Sequence, residues 1–455
     1  MQNNTLNIEP VISQTARFGE YQLAREVVDT FAKTAQTLAE TESVAKCYTM
    51  LGDHDKSMLF AEKALELTQD KKNIQYNLVS IYRQNALPEK AIKIIESIKD
   101  EENKNVLLIE EAGCLYEMNK RENALDVIKL IDQNNLSEYH KQKLSSLVGS
   151  LNLWNGNFKS GLIQTIMCES NVRNIEANNP NLFHGRNEIN LPFWEGTPDC
   201  KKLIIYAEAG IGDEILNIRF MNHLKQKGID PVWYGVWHQN AEVNRRLGVV
   251  NLFRNSGFNV VTDLREISDI SSYMWTYSQY LPICLGLDSN ELYSETYLKA
   301  PTLDLPESNL KVGIRWHGAK TPRFRNYPLK QLHNIFKLKN ATFYSLQKDE
   351  GMDELVDFPG IIDLSKNITS FYETAKYINS MDLIITSCTS IAHCAAALGK
   401  KTFIFVPISA YYPWCHPTEK SPWYGDNVTL LRQKTPRVWD EPMDELASLL
   451  QKEII

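Results

Sequence analysis

The sequence predicts α-helical hairpin repeats followed by an α/β part built of two Rossmann-like halves that face a cleft. Three observations predict it. Tyr48, Tyr82 and Tyr116 recur at intervals of 34 residues in the first third of the chain. Beyond about residue 200, short apolar runs alternate with helix-like segments, the order of a parallel sheet with crossover helices. Two of those runs end in glycine-bearing loops, Ala207-Glu208-Ala209-Gly210-Ile211-Gly212-Asp213-Glu214 and Val312-Gly313-Ile314-Arg315-Trp316-His317-Gly318. In an open α/β sheet, ligands bind at that carboxyl edge of the strands.

The helical region is expected over residues 1–172. Each tyrosine precedes a polar turn: Leu51-Gly52-Asp53, Asn85-Ala86-Leu87-Pro88 and Asn119-Lys120-Arg121. Ser57, Ala91 and Leu125 keep the same interval, in the place of the small residue after the turn. That period is the tetratricopeptide signature. Gly19-Glu20-Tyr21 with Ala24 reads as an earlier copy, and Trp154-Asn155-Gly156-Asn157-Phe158 with Gly161 as a later one. Stacked hairpins of this kind offer a concave surface to a partner or polypeptide, or else act as a scaffold that caps or dimerises the rest.

Residues 173–200 are turn-rich and join the two regions. The first half, 201–305, carries candidate strands Leu203–Tyr206, Val232–Val236 and Asn259–Val261. Ala300-Pro301-Thr302-Leu303-Asp304-Leu305-Pro306 reads as the linker. The second half, 306–455, carries Val312–Trp316, Thr342–Ser345, Leu383–Thr386 and Thr402–Val406. A terminal helix over Glu441–Ile455 is expected to pack back across the halves.

Bulk properties narrow the function. A length of 455 residues allows two or three domains. A net charge of -7 and a pI near 5.8 argue against general binding to nucleic acid or anionic membranes. The eight cysteines are scattered and form no CxxC pair, which fits a reducing compartment rather than a disulfide framework or structural zinc. The amino terminus has no basic and apolar leader pattern, and no apolar stretch reaches the roughly 18–20 residues of a membrane helix. A cytoplasmic location is expected.

Several motifs together resemble a known family. Phe193-Trp194-Glu195-Gly196, Tyr206 through Glu214, Gly313 through Gly318, Ser345-Leu346-Gln347-Lys348, Thr389-Ser390-Ile391-Ala392-His393 with Ala397-Leu398-Gly399-Lys400, and Ser421-Pro422-Trp423-Tyr424 occur in this order. The chain resembles a family in which tetratricopeptide repeats precede a GT-B glycosyltransferase domain. That domain is similar to the lipopolysaccharide heptosyltransferases and, more distantly, to O-linked N-acetylglucosamine transferases. The resemblance implies a glycosyltransferase that uses a nucleotide-activated sugar and inverts the anomeric centre. The first half would face the acceptor, which is a protein, glycan or lipid, and the repeats would hold it. The second half would bind the donor.

Each candidate residue has a chemical and a structural reading. Gly212 permits a tight turn and close approach to a ligand. Asp213 occupies the Gly-Asp position where the resembling heptosyltransferases carry their base, and an acceptor hydroxyl needs such a base. The alternative is a helix cap. Glu214 lies next to it. His317 can meet sugar or diphosphate, serve as an acid or base, or be structural. The resemblance puts Arg323 and Arg325 on the donor phosphates, where guanidinium forks stabilise a diphosphate leaving group without a metal. Lys320 is a third basic candidate. Thr389 and Ser390 stand at a predicted helix start, suited to pyrophosphate or to capping. His393 follows as a ligand contact or a buried histidine. Gln347 and Lys348 can meet base or ribose. Cys388 departs from the acidic residue usual in relatives. Tyr411-Tyr412-Pro413-Trp414-Cys415-His416 and Trp423-Tyr424 line the cleft or belong to the core. No DxD in these loops and no HExxH demands a metal, and no Walker loop is present. The rival reading is a repeat-based binding module whose α/β part holds a sugar nucleotide without turnover. The oligomeric state stays open.

Overall fold

The computed structural model describes residues 8–17, 21–68, 71–98, 100, 102–166, 190–207, 210–235, 243–293, 295–306, 310–318, 324–338, 340–348 and 350–454. Most of the expected joining segment, Gly19-Glu20, Glu208-Ala209, Lys320 and Arg323 lie outside them. The chain divides into two compact units: Met1–Lys141 with Thr435–Arg437, and Gln142–Lys434 with Val438–Ile455. Among the described residues, no helix is long and apolar enough to cross a membrane.

The first unit is helical: α1 Glu9–Arg17, α2 Tyr21–Ala32, α3 Leu38–Leu51, α4 His54–Glu66, α5 Lys71–Gln84, α6 Pro88–Ser97, α7 Lys104–Glu117 and α8 Arg121–Ile128. A capping box between Thr37 and Glu40 starts α3. The three turns reuse one device. Gly52, Ala86 and Asn119 all adopt the left-handed backbone, at φ 72°, 50° and 62°. Tyr48 and Tyr82 pack with apolar neighbours while their hydroxyls reach carboxylates. Tyr48 Oη donates to Asp29 Oδ1 at 2.7 Å and Tyr82 Oη to Glu62 Oε1 at 2.9 Å. Ser57 and Ala91 are fully buried, as a small residue after the turn should be. In the third pair the buried residue is Ala124 rather than Leu125. There α8 begins five residues after its tyrosine, whereas α4 and α6 begin six after theirs.

Most of α9 Glu138–Trp154, from Gln142 on, belongs to the second unit, as does the described part of a further helix, α10, 158–166. Leu153, Phe158, Leu162 and Ile166 join the α/β core, so this hairpin, expected as a late repeat, packs with the second unit. Four strands, β1 Lys202–Tyr206, β2 Asp230–Tyr234, β3 Val260–Val261 and β4 Met274–Tyr277, form a parallel sheet in the order β3-β2-β1-β4. The linking helices are α11 Ile211–Ile218, α12 Phe220–Gln226 and α13 Val243–Asn255, and α14 Leu281–Cys284 follows β4. Alternation along β1 sends Leu203 and Ile205 into the main core. Ile204 and Tyr206 face an aromatic layer of Tyr234, Trp275 and Tyr277. Phe193 bridges to Trp275 and joins that layer.

The second sheet has seven strands: β5 Leu310–Arg315, β6 Ala341–Ser345, β7 Ile362–Asp363, β8 Leu383–Ser387, β9 Lys401–Val406, β10 Lys420–Ser421 and β11 Gly425–Arg432. Their order is β10-β11-β9-β8-β5-β6-β7, parallel except for β10. Helices α15 Phe371–Asn379 and α16 Ser390–Ala397 lie in the core shared with the first sheet. Among the described residues, the terminal helix, α17 Asp440–Ile454, packs within the second half rather than across the two. Met443, Leu446 and Leu450 recur every three or four residues, and with Trp439 they cover Val312, Ile314, Phe403 and Phe405 on the second sheet alone.

Candidate functional site

Two strand-to-helix loops, one from each sheet, meet. β1 leads through Gly210, which caps α11, and β8 leads through Thr389, which caps α16. The helices pack closely because Gly212 has no side chain. A Cβ there would lie 3.0 Å from His393 Cδ2 and 3.5 Å from Ser390 Cα. Gly212 therefore touches two of the residues expected on the donor side. This contact brings the Asp213 loop to the start of α16.

Asp213 is half-buried at the third position of α11, where its Oδ2 accepts the Gly210 N–H at 3.1 Å. The carboxylate is thus held at the loop tip by the capping interaction that the sequence offered as its structural role. Glu214 is 1% exposed, on the inward face of the same helix with Ile215 and Ile218.

Across the seam, Thr389 Oγ1 accepts the Ile391 N–H at 3.3 Å, and Ser390 opens the helix. Arg325 reaches this point from the loop after β5. Its Nη1 donates to the Cys388 carbonyl at 3.0 Å. Gly318 lies between them: a Cβ there would meet Thr389 Cγ2 at 2.5 Å and Arg325 Nε at 2.9 Å. Asn326 Oδ1 accepts the Gly318 N–H at 2.8 Å and fixes the loop. The loop, the guanidinium and the helix start form one cationic, N–H-rich corner. Burial pushes the Cys388 thiol up to about 11 despite Arg325 alongside, so it stays protonated and brings no charge.

His393 is buried. Its Nδ1 is 2.8 Å from Tyr424 Oη, and its ring stacks on Trp414 with centroids 4.7 Å apart. Burial, with the Arg219 and Arg325 charges, lowers it to about 3, so it is neutral. Of the two readings of the aromatic segments, burial favours core: Tyr412, Trp414, Trp423 and Tyr424 are all nearly inaccessible. Trp423 and Tyr424 flank Arg219, a residue that no motif in the sequence marks. Its guanidinium lies 4.7 Å from the Tyr297 ring and 4.3 Å from the Tyr424 ring. It donates to Tyr297 Oη at 2.9 Å and to the Leu292 and Trp423 carbonyls. One buried cation so ties the first half to the second.

Gln347 and Lys348 are committed within the protein. Gln347 is fully buried. Its Oε1 accepts the His317 N–H at 3.1 Å and its Nε2 donates to the Glu350 carbonyl at 2.7 Å. Lys348 donates to the Ile368 carbonyl. His317 Nε2 lies 2.9 Å from Glu354 Oε1. Glu354 was not found by sequence reasoning, since nothing marks it within Asp349-Glu350-Gly351-Met352-Asp353-Glu354. Among the described residues, no group of three His, Cys, Asp or Glu side chains gathers as a metal site would require.

No family model matches this sequence, and no curated protein matches it. Solved structures resemble it at low identity. The iron-containing dodecameric glycosyltransferase TibC from enterotoxigenic E. coli is 10% identical over 58% of this chain and 78% of that chain, with a TM-score of 0.39. The E. coli ADP-heptose lipopolysaccharide heptosyltransferase II is 13% identical over 56% of this chain and 100% of that one, with a TM-score of 0.33. A mutant O-GlcNAc transferase from Thermobaculum terrenum is 12% identical over 91% of this chain and 90% of that one, with a TM-score of 0.26.

Proposed function

We propose that this chain is a glycosyltransferase that moves a sugar from a nucleotide-activated donor to an acceptor hydroxyl, without a metal and with inversion. The observation that carries the reading is the meeting at Gly212. It sets a loop-tip carboxylate of the first half beside an anion-suited corner of the second. Transfer from a diphosphate donor needs those two opposite chemistries. A base takes the acceptor proton, and positive groups stabilise the charge on the leaving diphosphate. Asp213 is assigned the base role, since Glu214 is sealed inside the fold. Arg325, the backbone N–H groups at the start of α16, and Thr389 and Ser390 receive the diphosphate. Arg323 is assigned to the same anion. His393 is neutral and packed, and is assigned to hold the seam rather than the donor. The acceptor is proposed to be a protein, glycan or lipid presented by the helical unit.

The test is a titration with a panel of nucleoside diphosphates and nucleotide sugars, followed by turnover with Asp213→Asn. The reading expects binding of at least one diphosphate by both proteins, and turnover about 10² to 10⁴ lower in the variant. No binding by any member would sink it. Binding without turnover by the native chain would favour the receptor reading instead.

A further inference from the structure

His317 is held more tightly than a loop histidine requires. Its backbone N–H is taken by Gln347, and Nε2 meets Glu354 at 2.9 Å. Gly351, at φ 90°, lies against the ring so closely that a Cβ would come within 2.6 Å of His317 Cδ2. All three clamps come from the segment after β6. Glu354 is itself fixed, because its Oε2 accepts the Leu329 N–H at 2.7 Å. Burial alone would push Glu354 up. The hydrogen bonds from His317 and Leu329 outweigh it and hold the carboxyl below its usual value, so it is ionised. An ionised carboxylate at Nε2 places a proton on that nitrogen. The other nitrogen, Nδ1, is buried and has no partner among the described residues. A buried polar atom without a partner calls for a functional or solvent explanation. The next residue, Gly318, touches Arg325 and Thr389, the corner assigned to the diphosphate.

Resting on the glycosyltransferase reading, we propose that Glu354 is a positioning residue. It fixes the Nε2–H of His317 so that Nδ1 takes a proton from solvent and donates it to a phosphate oxygen of the donor, coupling diphosphate binding to proton uptake. Other charges around His317 set the background. Arg315 lies on its own strand, with Arg325 and Tyr327 on the following loop. Lys330 is on the next turn. Lys348, Glu350 and Asp353 come from the segment that carries Glu354. A phosphate dianion arriving beside the ring would favour its protonated form. Glu354 supplies the standing negative charge that makes the imidazolium affordable.

The experiment is calorimetric titration of the full chain with ADP, GDP and UDP at pH 7.5, in two buffers of different ionisation heat. At that pH the terminal phosphate, with a second pKa of about 6, is already ionised. Uptake therefore reports the protein. For the diphosphate that binds, we expect uptake of about half a proton or more per site, since an opposite charge arriving beside an imidazole favours its protonated form. Glu354→Gln should bring uptake near zero and flatten the pH dependence of affinity, and His317→Gln should do the same. Thermal melts of each variant establish that it is folded. The native chain alone also decides the matter, whatever the variants do. Binding with no proton uptake overturns the coupling and leaves the glycosyltransferase reading intact. No binding of any diphosphate overturns both. Undiminished uptake in Glu354→Gln removes the role given to Glu354.

Discussion

Substituting Gly212 by alanine tests the seam on which the site depends. The added Cβ would sit 3.0 Å from His393 Cδ2, whereas carbon atoms rest comfortably at about 3.5–4.0 Å. Something must move by about half an ångström. His393 cannot yield freely, because it is bonded to Tyr424 at 2.8 Å and stacked on Trp414. Retreat of the ring would strain that bond, worth about 1 kcal/mol, on top of about 1–3 kcal/mol for overpacking. Against this, alanine is a better helix residue than glycine by about 0.5–1 kcal/mol. The balance is a loss of about 1–3.5 kcal/mol. For an α/β unit of this size, that lowers Tm by about 2–5 °C. Because the shift separates the Asp213 loop from Ser390, diphosphate affinity should fall as well. Calorimetric melting and the diphosphate titration measure both. An unchanged or raised Tm with native affinity would show that the helices are not pressed together at Gly212, and the argument for a joined site would fail.

Three further outcomes are expected. Ala86 holds φ 50° where the equivalent turn has Gly52, so Ala86→Gly should stabilise the helical unit by about 0.5–1 kcal/mol in urea unfolding; a destabilised variant would contradict the shared turn geometry. His393 and His416 are both lowered to about 3 by burial, followed by arginine charges, so the unfolded chain takes up protons that the folded one refuses. Stability is then fully present above about pH 6.5 and should fall by roughly 1 kcal/mol per pH unit for each histidine as pH drops towards 3. Replacing His416 with glutamine should make that decline shallower, and an unaltered slope would place the proton uptake elsewhere. EDTA should leave turnover unchanged, since the charge stabilisation is assigned to Arg325 and the α16 start; loss of turnover restored by magnesium or manganese would reverse that assignment.

Much of the site was legible locally, and the reasons are specific. The runs at Leu203–Tyr206, Leu383–Thr386 and Thr402–Val406 are apolar on both faces, which is how a buried parallel strand declares itself. Glycines and an Asp or Thr after such runs mark the loops that became the seam. Other elements carried no such mark. β4 is aromatic rather than aliphatic, and β11 opens on Gly425-Asp426-Asn427 before Val428, Leu430 and Leu431, so its ladder to β9 sets its extent. Leu125 stood in register by counting, but a turn one residue shorter buried Ala124. Gln347 follows β6, and its amide pairs with the His317 N–H and the Glu350 carbonyl, a pairing that no local pattern announces.

By itself the sequence determined what depends on spacing along the chain: the 34-residue tyrosine register, the alternation of strands and helices, and the loops where strands end. Those features follow from backbone periodicity, which a short window of residues contains. Tertiary structure alone decided which polar groups share a partner. Residues more than 170 positions apart, Gly212 and His393, meet because two sheets pack through α11 and α16, and His317 finds Glu354 because β5 and β6 lie side by side. The energy of a buried histidine, carboxylate or arginine depends on those neighbours and on lost water. Neither is written in the order of residues around it.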